Sequence, residues 1–182
     1  VRLLTPATET YHSGDVDLYA EATDNVEIVS FRFEYSPQYQ SAWVLIGEDV
    51  SPMTIQAGGR WSGRSVWGTD ALAEGAYDVR VTTVDYGGNT NSLTNVLRVD
   101  RTAPPVPDSL LVENPMSGNR LNLSWDPVLD GALSEYRVYR SETSGQDYVL
   151  IASTAGQQYS DTTVDNDKTY YYVVTAVDEA GN

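Results

Sequence analysis

The feature that most constrains this chain is a period-two alternation of apolar and polar side chains. Near its start, Val16, Leu18 and Ala20 alternate with Asp17 and Tyr19. The same alternation recurs in five further runs, at residues 29–35, 77–83, 121–125, 136–140 and 170–177. Such alternation is typical of strands with one buried face, and helical periodicity is nearly absent. The chain is therefore predicted to be all-β, with short strands forming sheets that pack face to face.

A proline-rich segment divides the chain into two halves. Pro104, Pro105 and Pro107 stand within four positions. Because proline removes backbone donors and favours an extended polyproline conformation, this segment is predicted to be a short, semi-rigid linker. We therefore place the two domains at residues 1–103 and 104–182, each of a size that suits one β-sandwich.

An internal repeat relates the two halves. The run from Tyr77 to Asp85 continues as Tyr-Gly-Gly-Asn, and the run from Tyr170 to Asp178 continues as Glu-Ala-Gly-Asn. Both copies have the same length from Tyr to Asp and end in D-x-x-G-N. One long strand followed by the same turn in each half favours two related sandwiches over one large barrel.

Three motifs of the second half follow the proline-rich segment. They are L-x-L-x-W-D at 121–126, E-Y-x-V-Y-R at 135–140, and the step from Val164 to Tyr170. Together they resemble a fibronectin type III domain over nearly all of residues 104–182. The resemblance implies a tyrosine corner at Tyr170, in which the hydroxyl bonds a backbone group upstream and fixes the crossover between sheets.

The first half has its own set of motifs. G-x-V-x-L-x-A begins at Gly14, Trp67 precedes the G-x-Y that begins at Gly75, and D-x-x-G-N begins at Asp85. These features resemble a bacterial immunoglobulin-like domain over residues 1–100. Tandems of this kind are similar to the accessory regions of exported bacterial or archaeal enzymes and cell-surface proteins. The resemblance implies an extracellular or cell-surface location.

The chain ends at Asn182, where a type III domain has one more strand. We expect the second sandwich to lack its last strand, so that one sheet has an open edge, and we expect the parent protein to continue. In the alternative interpretation, another chain donates the missing strand.

The charge of the chain argues against two classes of partner. Its 26 acidic and 11 basic side chains give a formal net charge of −15. Such a surface repels phosphate backbones and anionic lipids, so neither nucleic acid nor a membrane surface is predicted as a partner. No apolar run approaches the roughly 18 residues of a membrane span, so membrane insertion is not predicted. The sequence has no cysteine, which excludes disulfides, thiol catalysis and zinc sites built on cysteine.

Patterns typical of catalysis are missing from the sequence. The only histidine, His12, lies in a polar stretch that predicts a solvent-facing loop, and no serine stands in G-x-S-x-G. The glycine pairs at 58–59 and 87–88 lack the spacing and the lysine of a phosphate-binding loop. The chain is therefore predicted to have no enzymatic activity.

One group of oxygen-bearing side chains suits calcium. Asp24 and Asn25 follow the second strand, and Asp85 and Asn89 follow the long strand of the first half. In an immunoglobulin-like sandwich these two loops lie at the same end, and calcium prefers several oxygen ligands. The sequence thus offers a structural calcium site. In the alternative interpretation, each Asp or Asn closes its own turn and needs no metal.

Aromatic side chains offer a second kind of site. Sugar-binding modules present flat aromatic rings, and Trp61, flanked by Gly-Arg and Ser-Gly-Arg, is the best candidate for an exposed ring, with Tyr39 as its companion. The alternative is that Trp61 caps the core. Trp67 and Trp125 are predicted to lie in the cores.

The sequence predicts a non-catalytic spacer or presentation module of a larger extracellular or cell-surface protein. Its partners are then neighbouring domains of the same polypeptide. One alternative is a polysaccharide-binding accessory module. The other is an adhesion module that contacts another surface protein and contains structural calcium, the only cofactor considered.

Overall fold

A computed structural model of the protein describes residues 2–25, 27–56, 59–116 and 118–182. The chain forms two compact units, Val1–Arg101 and Thr102–Asn182. Every helix or strand assigned within the described residues is a β-strand, which confirms the all-β prediction. Those residues include no helix with the length and apolar character needed to cross a membrane.

The described part of the first unit has nine strands: β1 (Arg2–Thr5), β2 (Thr10–His12), β3 (Val16–Thr23), β4 (Ile28–Pro37), β5 (Val44–Asp49), β6 (Met53–Gln56), β7 (Arg60–Trp67), β8 (Gly75–Asp85) and β9 (Thr90–Val99). One sheet has the order β1-β3-β7-β6, and the other has the order β2-β9-β8-β4-β5. Neighbouring strands are antiparallel, except that β2 runs parallel to β9.

The core of the first unit lies between these two sheets. Leu18 and Ala20 of β3 are fully buried, as are Phe31 and Phe33 of β4, in the alternation that the sequence predicts. Trp67 is 1% exposed, which confirms its predicted place in the core. Its ring centroid lies 5.4 Å from that of Tyr35 and 5.6 Å from that of Tyr77. Contacting rings of this kind are worth about 0.5–1.5 kcal/mol beyond the area that they bury.

The two sheets pack closely at Gly63 of β7. A Cβ atom added at Gly63 would lie 2.7 Å from Cδ2 of the Phe31 ring, well inside normal van der Waals contact. The ring of Phe31 therefore occupies the space that a side chain at position 63 would need, and glycine is required there for packing.

The described part of the second unit has six strands: β10 (Leu111–Glu113), β11 (Leu121–Ser124), β12 (Leu133–Ser141), β13 (Val149–Thr154), β14 (Gln158–Asp161) and β15 (Tyr171–Asp178). They form two sheets of three strands each, with the orders β10-β11-β14 and β13-β12-β15. Leu123, Trp125, Tyr136 and Val138 are buried between the sheets, as the alternation predicts for Trp125 and its neighbours.

In each unit, a tyrosine near the start of the long strand of the internal repeat forms a hydrogen bond with a backbone group. The Tyr170 hydroxyl accepts a hydrogen bond from the Asp165 backbone nitrogen at 2.9 Å. In the first unit, the Tyr77 hydroxyl donates to the Ala73 carbonyl at 2.8 Å. The corner implied by the resemblance at Tyr170 is therefore confirmed, and Tyr77 occupies the matching position of the repeat.

Candidate functional site

Trp61 lies on the inward face of β7. In the register of β3 with β7, Ala22 is opposite Trp61, Ala20 is opposite Gly63 and Val16 is opposite Trp67. Trp61 is half-buried and packs against the core cluster. The expectation that Trp61 is exposed is therefore wrong. The reason is the strand period of two, which places every second residue counted back from the buried Trp67 on the core side.

Tyr39, the companion of Trp61 in the predicted sugar site, lies in the turn after β4. Its side chain is 93% exposed and its φ is 64°, in the left-handed region. The turn is tied down on both sides, because Gln38 N donates to the Ala76 carbonyl at 2.9 Å and Gln40 N donates to the Pro37 carbonyl at 3.0 Å. Tyr39 is thus an exposed ring on a hydrogen-bonded support.

The structure does not bring Trp61 and Tyr39 together. Within the five-stranded sheet, Ile28 of β4 is opposite Asp85 and Pro37 is opposite Tyr77. Tyr39 follows Pro37, whereas Trp61 lies near the loop that leads into Ile28. The ten residues of β4, at about 3.3 Å each, place the two rings at opposite ends of the unit.

A groove lies near Tyr39, at the same end of the unit. It has a volume of about 350 Å³, and its lining includes Tyr11, Glu74, Gly75, Arg98 and Asp100. Parallel pairing sets Tyr11 of β2 directly beside Arg98 of β9. The guanidinium carbon of Arg98 lies 5.7 Å from the centroid of the Tyr11 ring.

An ion pair holds Arg98 in place at this groove. Its Nη2 and Nε both donate to Glu9 Oε2, at 2.8 Å and 3.2 Å. This hydrogen bonding, followed by the charges of Glu9, Tyr11 and Tyr39, raises the pKa of Arg98 despite the opposing effect of burial. Arg98 therefore stays a cation beside the Tyr11 ring. Our sequence reasoning missed Tyr11 and Arg98, because 87 positions separate two neighbours that only the β2–β9 pairing joins.

His12 is part of β2 and is half-buried. Its carbonyl accepts a hydrogen bond from Asp100 N at 3.0 Å, and its Nε2 lies 2.8 Å from Thr10 Oγ1. Burial lowers the pKa of the His12 imidazole. The expectation of a solvent-facing loop is therefore wrong, because pairing with β9 draws this polar segment into the sheet.

The D-x-x-G-N segments form the same closed turn in both units. Asn89 N donates to Asp85 Oδ1 at 2.8 Å, and Asn89 Nδ2 donates to Oδ2 at 2.7 Å. The corresponding bonds from Asn182 to Asp178 are both 2.9 Å. Gly88, at φ 81°, supplies the left-handed residue of the first turn. In each unit, the Asn therefore donates two hydrogen bonds to the Asp side chain and closes the turn.

The four residues of the predicted calcium site have different surroundings. Tyr86 N donates to the Glu27 carbonyl at 2.8 Å, so the loops after β3 and β8 meet at one end of the unit. The hydrogen bonds from Asn89 lower the pKa of Asp85, although burial opposes them. Asp24 is half-buried and Asn25 is exposed. Within the described residues, no group of three or more His, Asp or Glu side chains is placed to hold a metal ion. The calcium site stays a prediction, and the bonds between Asp85 and Asn89 favour its alternative, in which these side chains close their own turn.

The second unit contains a buried ionic network at the end of β14. The Asp161 side chain is fully buried, and its Oδ2 accepts bonds from Arg140 Nη1 at 2.8 Å and from the Tyr172 hydroxyl at 2.9 Å. Its Oδ1 accepts bonds from the backbone nitrogen and the hydroxyl of Thr163, at 2.9 Å and 2.7 Å. Burial alone would raise the pKa of Asp161, but these donors outweigh it and the pKa is lowered. The network links β12, β14 and β15 into one structure.

Two features define the fold of this protein: each unit pairs two largely antiparallel sheets, and each contains a tyrosine that bonds backbone, followed by a closed D-x-x-G-N turn. The chain has the fold of tandem immunoglobulin-like and fibronectin type III β-sandwiches. Solved structures with the same fold include the fibronectin(III)-like modules of CbhA from Clostridium thermocellum. They match with a TM-score of 0.57 and 17% identity, over 99% of this chain and 86% of that one.

The chain matches short segments of relatives that are much longer proteins. An amylopullulanase of Thermoanaerobacterium saccharolyticum is 44% identical over 85 residues, which is 46% of this chain. An exoglucanase B of Cellulomonas fimi is 30% identical over 125 residues, which is 63% of this chain. The matched segments make up only 6% and 11% of those proteins, so the similarity is that of a module in a multidomain protein. No family model matches the chain.

Proposed function

We propose that this chain is a non-catalytic spacer or presentation module of a larger, exported protein that acts on polysaccharide. The observation that carries the proposal is the match of one chain to short segments of two enzymes with different names, an amylopullulanase and an exoglucanase. A segment shared between such enzymes suits a role that does not depend on the substrate. The proposal takes residues 1–103 and 104–182 as two domains and requires no cofactor.

The state of the buried carboxylates supports a structural role. Glu34 lies on the outward face of β4, yet it is only 7% exposed, because Arg80 Nη2 bonds it at 2.8 Å and Arg32 Nε lies 3.2 Å away. Asp161 is held by Arg140 in the same manner. For Asp161, the donors that surround the carboxylate lower its pKa, which makes it a poor general acid. These side chains join strands and are not arranged for proton transfer.

Reducing-sugar assays on the purified chain test the non-catalytic part of the proposal. We expect no release of sugar from pullulan or carboxymethylcellulose above the buffer blank, even at high protein concentration. Release that rises with protein concentration and disappears on heat denaturation would overturn this part.

Single-molecule energy transfer between dyes at the two termini tests the spacer part. The segment 104–107 favours an extended, semi-rigid conformation. We therefore expect a narrower distance distribution than that of a variant in which a Gly/Ser chain of equal length replaces this segment. A distribution as broad as that of the Gly/Ser chain would contradict the spacer role.

A second function, polysaccharide binding, is favoured by one specific observation. Tyr39 presents a ring that is 93% exposed beside a groove with charged side chains.

A further inference from the structure

Two aromatic side chains of different burial lie at one end of the five-stranded sheet. Tyr39 is almost fully exposed, and Tyr11 is half-buried in β2. Three hydrogen-bonded steps join them across the sheet: Gln38 pairs with Ala76, Ala76 with Arg98, and Arg98 with Tyr11. Ala76 is the smallest residue of this row and lies between Gln38 and Arg98.

The polar groups at this groove have the geometry that hydroxyl-rich ligands need. Arg98 presents a planar fork of donors, and its side chain is 36% exposed even while it bonds Glu9. Glu9 is itself 55% exposed, and Glu74 and Asp100 line the same groove. Guanidinium and carboxylate groups form paired hydrogen bonds to neighbouring hydroxyls, and an aromatic ring packs against the C–H face of a pyranose. A groove of about 350 Å³ falls within the range of small-ligand sites.

The backbone around Arg98 is held in an unusual conformation on both sides. Glu9 has a φ of 62° and Tyr39 has a φ of 64°, and neither is a glycine. Left-handed conformations of bulky residues are uncommon and persist where the surrounding structure enforces them. Here Glu9 N bonds the Val96 carbonyl at 2.6 Å, and the Tyr39 turn is closed by the bonds of Gln38 and Gln40. Arg98 thus lies between two residues, Glu9 and Tyr39, whose left-handed conformations are held by hydrogen bonds. This arrangement distinguishes this end of the unit from an ordinary loop surface.

We propose that the groove lined by Tyr11 and Arg98 is a binding site for a glucan chain, with the exposed Tyr39 beside the groove as the stacking ring and Arg98 with Glu9 as the hydroxyl-binding pair. The proposal rests on the proposed function, in which the module belongs to a polysaccharide-acting protein. It replaces the predicted pairing of Tyr39 with Trp61, since Trp61 faces the core. α-linked and β-linked glucans present the same pyranose faces and hydroxyls, so the groove residues alone do not indicate which linkage binds. The test therefore includes one polymer of each linkage.

The test is affinity electrophoresis of the whole chain in gels that contain pullulan or hydroxyethylcellulose. We expect one of the two polymers to retard the chain. Tyr39→Ala is expected to weaken binding at least tenfold, because the stacking ring is lost. Arg98→Lys keeps the positive charge but loses the planar fork of donors, and it is expected to weaken binding severalfold. Far-ultraviolet circular dichroism and the melting temperature report whether each variant is folded.

Tyr86→Ala is the matched control. Tyr86 is 77% exposed in the D-x-x-G-N turn, at the opposite end of the same unit, so its loss removes an equally accessible ring without touching the groove. Retardation of the wild type by neither polymer would overturn the site, as would equal retardation of the Tyr39→Ala and wild-type chains. Equal losses in Tyr39→Ala and Tyr86→Ala would show nonspecific adsorption and overturn it too. Binding without sugar release leaves the non-catalytic proposal standing, so the two proposals fail separately.

Discussion

Replacing Asp161 with asparagine removes one charge from the buried network of the second unit and leaves its shape almost unchanged. Oδ1 can still accept the two bonds from Thr163. The Nδ2 group of asparagine takes the place of Oδ2, the charged oxygen that accepts bonds from Arg140 and Tyr172. Because an amide nitrogen donates hydrogen bonds and does not accept them, both bonds are lost. The Arg140 side chain is 22% exposed, so it cannot recover full hydration without moving out of the sheet.

The expected cost follows from these two lost bonds. Hydrogen bonds to charged groups contribute about 1.5–3 kcal/mol each, and breaking a buried ion pair by changing one partner costs about 3–5 kcal/mol. Because Arg140 keeps some contact with water, we take the lower end, about 3 kcal/mol. For a domain of this size, each kcal/mol lowers the melting temperature by about 4–8 °C, which gives about 12–24 °C.

Hydrogen exchange measured by mass spectrometry separates the two units, because peptides from β12 and β15 report only on the second. A loss of about 3 kcal/mol corresponds to roughly a hundredfold loss of protection in those peptides. Glu135→Gln is the matched control, since Glu135 bonds Arg137 on the same strand at 2.7 Å but its side chain is 31% exposed, whereas that of Asp161 is fully buried. We expect that control to cost less than about 1 kcal/mol. Equal loss of protection in the two variants would refute the reasoning.

Three further outcomes are expected. Gly63→Ala should destabilise the first unit by about 1–3 kcal/mol through collision with Phe31, measured by exchange in β4 and β7 peptides; unchanged protection there would contradict the close packing. Because folding lowers the pKa of Asp161, its contribution is full above the ordinary Asp value of about 3.9 and is lost as the pH falls through the lower folded value. Unfolding of Asp161→Asn should therefore depend less on pH below about 4 than that of the wild type, and parallel curves would be inconsistent with this. Since Asn89 already supplies two donors to Asp85, we expect equal melting temperatures in calcium and in chelator; a higher value in calcium would instead support the calcium site.

The strand layout could be predicted from the sequence because it depends on local period-two patterns. The buried face of β3 and the core position of Trp67 both follow from that pattern alone. The inward orientation of Trp61 could also have been predicted from the sequence, because six positions, an even number, separate it from Trp67 on one strand. The glycines and arginines around Trp61 suggested exposure, but Gly63 is needed for close packing of the sheets.

The candidate groove could not be predicted from local patterns. It depends on the parallel pairing of β2 with β9, which joins Tyr11 to Arg98 across most of the first unit. Short polar segments such as Thr10–His12 have no alternation that reveals a partner strand. The pairing of Arg140 with Asp161 is a weaker case. The alternation of β12 puts Arg140 on the face of Tyr136 and Val138, and a charged residue on a core face requires a partner, but nothing local identifies that partner as Asp161.

The D-x-x-G-N turn has a consequence for how the surface of such modules can vary. Its Asp and Asn bond each other, and the residue after Asp bonds a backbone carbonyl of the same unit, Glu27 in one case and Ala132 in the other. The two central x positions are Tyr-Gly in one unit and Glu-Ala in the other, so their side chains are free to vary. The hydrogen bonds that close each turn therefore come from atoms of its own unit. In the first unit this turn joins β8 to β9, so it is internal to one sandwich and not a junction between modules. Changes at its two central positions can therefore alter the surface of a module while its sheets stay intact.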